Sequence, residues 1–349
     1  MTLADGRIDG YDLAGVLRGG FFKIKAPVFA HPFVAIQTIF VLVMAGSFAF
    51  GFFASHKSGF MHLEPALMGQ AAGTFGYFSG LSGFLFGFFI FNGLGGYMTV
   101  KNNYLGGYLG ASTELMILLS TYFPGPEHYG LKETVVRWTM AAYTLMCGHV
   151  GDGTFPELMA LLEKRGLLTT DETRVVEKHG GNVVQILMWI MMSINSQIYK
   201  HGLKGADLKC MSIEAKVLAQ RSGAGNISTA CSTYGQTPLP LVHLMSALVK
   251  IQLMLLALSE GMKIAHICVD ESEGKLLQVA MSVVMLTVTP IIFQGLLEFV
   301  IMVNNPFGSD WVDYPISLYY QQLRDDLLLF IDAGDDGQNM GTVEQFSRG

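Results

Sequence analysis

The chain is 349 residues long, 51% hydrophobic and only 14% charged, with 41 glycines and 24 phenylalanines. Glycine is more frequent in membrane helices than in soluble ones, so the composition reads as an integral membrane protein with a substantial polar-facing portion. A net charge of −6 argues against a nucleic-acid partner, which needs a basic patch.

Residues 1–26 are a polar, turn-rich lead-in. Asp5, Asp9, Gly10 and Asp12 are arranged like part of a calcium loop, but Arg7 and Val16 occupy positions where an EF-hand needs oxygen ligands, so it is not read as one. No basic n-region precedes an apolar run, and no transit peptide is visible. Phe33–Ala54 is the first convincing span, 22 residues without a charge. A short polar link, 55–63, leads to the stretch from Pro65 to Val100, 36 residues without a charged side chain between Glu64 and Lys101.

Inside that stretch Gly73, Gly76, Gly80, Gly83 and Gly87 recur at spacings of three and four, which puts them on one helical face. Tyr77, Phe84, Phe88 and Phe91 flank that face, while Phe75, Phe86 and Phe89 point away from it. Two readings stay open. Small residues allow close helix packing in lipid, or the row Gly80, Phe84 and Phe88 lines a pore shared by several subunits.

Past Lys101 the character changes. Residues 101–235 hold 12 of the 22 lysines and arginines, yet also the apolar pieces Glu114–Phe123, Val135–Cys147 and Val183–Tyr199, which read as helices of an extra-membrane domain. Thr169 to Glu172 is a helix start, and Gly223-Ala224-Gly225-Asn226 reads as a loop. The third span is Leu239–Leu258 with one charge, Lys250, which either snorkels or faces an aqueous cavity. The fourth is Leu276–Val303, with Pro290 as a kink. Residues 304–349 are acidic and turn-rich apart from an amphipathic piece at Ile316–Ile331. The basic residues place the N-terminus and the middle region in the cytoplasm, and four spans return the C-terminus there. Cys147, Cys210, Cys231 and Cys268 are scattered without a CxxC, so they suggest neither zinc nor a disulfide framework but buried, reduced thiols. No phosphate-binding, metalloprotease or nucleophile-elbow motif occurs, and no acid–base constellation emerges, so the chain is not read as an enzyme.

Four stretches then resemble one known family, the bestrophins. They are Asn305-Pro306-Phe307-Gly308 followed by Asp310 and Asp313; Leu239-Pro240-Leu241-Val242-His243; Phe84-Leu85-Phe86-Gly87-Phe88-Phe89; and Val136-Arg137-Trp138 continuing to Gly166-Leu167-Leu168-Thr169. Together they cover residues 20 to 330 in the family's order. The resemblance implies an all-α integral membrane protein with four transmembrane helices per chain and a cytosolic helical domain, forming a homopentamer around one central pore. The corresponding divisions are a cytosolic segment 1–26, transmembrane helices 1 and 2 with the neck at 27–100, the cytosolic domain at 101–235, transmembrane helices 3 and 4 at 236–303, and an acidic cytosolic segment at 304–349.

It further implies conduction of chloride and bicarbonate across a plasma or thylakoid membrane. Gly80, Phe84 and Phe88 would form the neck, Leu208 the lower aperture, and Asp310, Asp313, Asn305 and Met302 a calcium clasp. Two departures stand out. Only two acids follow Asn-Pro-Phe-Gly, and the basic-aromatic signature expected after the neck is replaced by Gly95-Gly96-Tyr97 and Lys101-Asn102-Asn103-Tyr104. A secondary bicarbonate transporter and a non-conducting scaffold in a larger membrane assembly remain alternatives, though no internal repeat of the kind transporters show is visible.

Overall fold

The structure is a computed structural model, and it describes residues 32–59, 65–151, 154–231, 239–269, 274–303, 306–307 and 314–339. The polar lead-in before residue 27 and the expected clasp residues Asn305, Asp310 and Asp313 lie outside the described residues. The described part is helical, with no strand. In chain order the helices are α1 (Pro32–Lys57), α2 (Pro65–Thr99), a π-helical segment (Val100–Leu105), α3 (Gly106–Tyr122), α4 (Tyr129–Val150), α5 (Phe155–Lys164), α6 (Thr170–Lys178), α7 (Val183–Lys200), α8 (Ala206–Cys231), α9 (Leu239–Val269), α10 (Lys275–Val303) and α11 (Ile316–Asn339).

The chain divides into two compact units. One is formed by the described residues within Asp12–Gly95 and Thr237–Asn304, the other by those within Gly96–Gln236 and Asn305–Gly349. The first holds the apolar helices. At 26, 35, 31 and 29 residues, α1, α2, α9 and α10 each exceed the roughly 20 residues that cross a bilayer. Their shared core includes Val41, Ala45, Phe86, Phe89, Val249, Leu256 and Leu297. Helix α9 lies close against α1, because Gly261 leaves no Cβ where one would stand 2.8 Å from the Ala45 carbonyl oxygen and 2.9 Å from Phe48 Cβ. In lipid such close approach is the main source of helix association.

The third span runs further than the apolar run suggests, to Val269. It carries Glu260, which is buried, and Lys263, whose Nζ lies 2.6 Å from the Glu260 carboxylate one turn away. Pairing within the helix neutralises both charges, so the helix need not end where the first acid appears. Pro290 sits inside α10 without interrupting it.

The second unit is built on α3, α4, α7, α8 and α11 around Tyr108, Leu119, Met140, Tyr143, Ile190 and Leu327. Thr169 opens α6 with a reciprocal capping box: the backbone N–H of Glu172 donates to its hydroxyl, and the Glu172 carboxylate accepts from the backbone N–H of Thr169. Gly223-Ala224-Gly225-Asn226 is not a loop but part of α8. The reason is packing: a Cβ on Gly223 would lie 3.0 Å from the Tyr104 carbonyl oxygen and 3.1 Å from Tyr108 Cβ. A glycine chosen for close approach therefore looks, in the sequence, like one chosen for a turn.

None of the four cysteines forms a disulfide; Cys147 and Cys210 are buried, whereas Cys268 is exposed at the end of α9, against the expectation of buried thiols throughout.

A candidate pore-lining face on the second apolar helix

Helix α2 carries no Asp, Glu, Lys, Arg or His from Pro65 to Thr99, so what it does depends on shape, aromatic rings, backbone and a few uncharged polar groups. One face is used up inside its own unit. Phe86 and Phe89 are 2% exposed and Ser82 is fully buried. Phe86 meets Phe293 of α10 edge-on at 5.8 Å, Gln252 of α9 donates to the Ser79 hydroxyl at 3.3 Å, and Gly93 leaves room for the Val300 side chain. Phe75 packs half-buried against the same cluster.

At about 100° per residue, Tyr77, Phe84, Phe88 and Phe91 fall within a strip about 60° wide, close to opposite this buried face. Phe84 and Phe91 are each 75% exposed and Phe88 is 59% exposed. The five glycines form the neighbouring strip, and a Cβ placed on any of them would meet nothing within 4 Å. The helix therefore has three parts: a packed back, an aromatic front, and between them a strip of bare backbone. Glycine in a membrane helix leaves such a strip for close approach by another helix, and within this protomer none of the described residues fills it.

Gly80, Phe84 and Phe88 share the open side of α2. Tyr77 and Phe91 extend the same strip; spacing alone places them there, and nothing but the choice of a three-residue row left them out of the expected neck. Leu208 is the third residue of α8 and is 71% exposed, and Met211, one turn on, is also exposed. Tyr199 donates to the Asp207 carboxylate at 3.0 Å beside it. Of the clasp, Met302 lies in the last turn of α10. The residues on either side of the acidic stretch 308–313 are pinned to each other: the Tyr314 N–H donates to the Pro306 carbonyl at 2.9 Å, and the Phe307 and Tyr314 rings meet edge-on at 5.2 Å. The Tyr314 hydroxyl donates to the Tyr97 carbonyl. Among the described residues no group of three or more His, Cys, Asp or Glu could hold a metal ion.

Arg137 and Trp138 are brought to the start of α6. Arg137 holds Glu172 through two contacts of 2.6 and 2.9 Å and also donates to the Leu167 carbonyl, while the Trp138 indole donates to Glu172 at 2.8 Å. Burial pushes the Glu172 carboxyl up, but the Arg137 guanidinium, the Thr169 N–H and the Trp138 indole outweigh it and hold the group down at about 2. Residues thirty-five positions apart in the chain are thus locked into one corner.

A family model described as bestrophin, RFP-TM, chloride channel matches residues 73–323. Among solved structures, one described as a membrane protein variant aligns with a TM-score of 0.67 at 15% identity, over 86% of this chain and 99% of its own. Two variants of a bacterial bestrophin homologue from Klebsiella pneumoniae align with TM-scores of 0.65, at 17% and 16% identity, over 85% and 86% of this chain and 98% and 99% of theirs. At such identities the likeness establishes the fold. No curated protein matches the chain.

Proposed function

Because this chain belongs to the bestrophin family, whose membership supports a chloride-channel type of function, we propose that it conducts chloride and bicarbonate through a pore lined by α2 from five copies. One observation carries the reading: the packed back of α2 exhausts its contacts within the protomer, while the opposite side presents Phe84 and Phe88 beside an unfilled glycine strip. In a ring of identical copies, the face that touches the neighbour and the face that looks to the axis lie side by side on the same helix. The glycine strip suits the first and the aromatic strip the second.

A narrow ring of phenyl groups excludes water when closed and hydrates when slightly widened, so it gates by dewetting. Phenyl edges carry the positive part of the ring quadrupole, so edges turned to the axis tolerate an anion better than a cation. Gly80 in place of a larger apolar residue makes this neck wider or shorter at that level. Leu208, exposed at the start of α8, supplies a second, lower constriction. Calcium regulation in this reading rests on Asp310 and Asp313 with main-chain oxygens near Met302 and Asn305, the mixed oxygen set that calcium prefers; with only two carboxylates, binding is weak.

The test is a planar-bilayer recording of the purified full chain under chloride and bicarbonate gradients, with and without calcium. Reversal potentials that follow the anion gradients support the reading. Reversal at the cation potential overturns it, and electrical silence under every condition points to a non-conducting scaffold.

A further inference from the structure

Lys250 is the only Asp, Glu, Lys or Arg between the start of α9 and Glu260. It is exposed on the side of α9 that faces α1, at one end of a groove of about 220 Å³. Gln37 shares that end, and the rest is lined by Phe40, Val41, Met44, Leu253, Met254 and Ala257. Among the described residues no carboxylate lines the groove. An ammonium in hydrocarbon is costly unless it reaches water, a cavity or an anion.

The two helices run parallel. The groove pairs Gln37 to Met44 with Lys250 to Ala257 in the same direction, and further along Gly261 abuts Ala45 and Phe48. Gln37 is the sixth residue of α1, about 7.5 Å along the helix from its first residue, and Lys250 is the twelfth of α9, about 16.5 Å from its own; the register between the two helices sets these side chains near the same level, and Met44 and Ala257 lie about 10 Å further along. The groove thus has a cationic, hydrogen-bonding end nearer the start of α1, from which the long lysine stem extends toward the headgroup level, and an apolar end further into the span. Its volume falls below that of ordinary soluble-ligand pockets and suits a stretch of one acyl chain.

We propose that this groove binds an anionic glycerophospholipid, with the headgroup phosphate held by Lys250 and the Gln37 amide and an acyl chain lying along Phe40, Met44 and Met254. Charge complementarity selects the occupant: a lone cation with an amide beside it fits a phosphate that carries no neighbouring ammonium. The site requires only that the unit sit in a bilayer, so it stands independently of conduction.

The full chain, reconstituted in vesicles of equimolar phosphatidylglycerol and phosphatidylcholine with matched acyl chains and then re-extracted in mild detergent, is examined by native mass spectrometry. Retained phosphatidylglycerol should exceed phosphatidylcholine by about tenfold, the ratio expected of one charge-assisted contact. Lys250→Met should abolish the preference and Lys250→Arg preserve it. Met254→Trp, which fills the apolar end without touching the charge, should reduce retention of phosphatidylglycerol. Equal retention of the two lipids by the unaltered chain overturns the proposal, and this arm needs no variant to fold. So does a preference unchanged in Lys250→Met, or displacement of the lipid by millimolar inorganic phosphate, which would assign the site to a soluble anion.

Discussion

Two glycines two positions apart on α8 allow the packing account to be measured. At Gly223 a methyl group would meet the Tyr104 carbonyl oxygen at 3.0 Å, Tyr108 Cβ at 3.1 Å and the Tyr108 nitrogen at 3.3 Å. Two of these are backbone atoms, which cannot rotate away, and carbon contacts relax only near 3.5–4.0 Å, so α8 must part from the π-helical segment and the start of α3 by about half an ångström. Overpacking of this kind costs about 1–3 kcal/mol. Replacing glycine by alanine within a helix returns about 1 kcal/mol. Gly223→Ala should therefore destabilise by up to about 2 kcal/mol. Gly225 is exposed and a Cβ there meets nothing within 4 Å, so Gly225→Ala keeps only the helix gain, about 1 kcal/mol. At about 2–4 °C per kcal/mol for a unit of this size, the two variants should melt apart by at least ~2 °C, on opposite sides of the unaltered chain. Thermal unfolding in detergent, followed by circular dichroism, reads this directly. Equal shifts of the same sign would show that Gly223 is not held by close approach and would remove the reason given for the helix there.

Further outcomes follow from the same contacts. The double change Phe84→Ala with Phe88→Ala should give larger and less regulated anion currents in bilayer recordings; unchanged gating would count against the aromatic strip as the neck. Glu172, held at about 2 against an ordinary 4.5, contributes stability that is full above pH 4.5 and is lost as pH falls through about 2. The gap between the unaltered chain and Glu172→Gln, about 1 kcal/mol at pH 7 after allowing for solvent screening, should therefore shrink across that window; a gap independent of pH would refute the ion pair as its source. Burial pushes the Cys147 thiol up to about 12, despite a hydrogen bond with Tyr143 that opposes the shift, and pushes Cys231 up to about 11. Thiolate is the reactive form, so maleimide at pH 7 should modify exposed Cys268 first. Persistence of the fast phase in Cys268→Ser, followed by mass spectrometry, would contradict this order.

Much of this architecture is local and so is legible in the chain. Uncharged runs longer than a bilayer is thick announce α1, α2, α9 and α10, because length and polarity alone decide what crosses lipid. The three- and four-residue spacing of Gly73 to Gly87 and of Tyr77 to Phe91 is a property of helix geometry, and Thr169 with Glu172 marks a helix start through groups only three residues apart. What the chain cannot display is which neighbour each face meets. That Phe86 and Phe89 are buried while Phe84 and Phe88 are not depends on where α9 and α10 arrive, about 150 to 220 residues later. Gly223 reads as a turn until Tyr104 and Tyr108 are placed against it, and the run ending at Leu258 gives no hint that Glu260 and Lys263 neutralise each other and let the helix continue to Val269. Residue type and spacing determine the helices and their faces; contacts between residues far apart in the chain decide which faces close against each other and which stay open, and the candidate pore face is one of those left open.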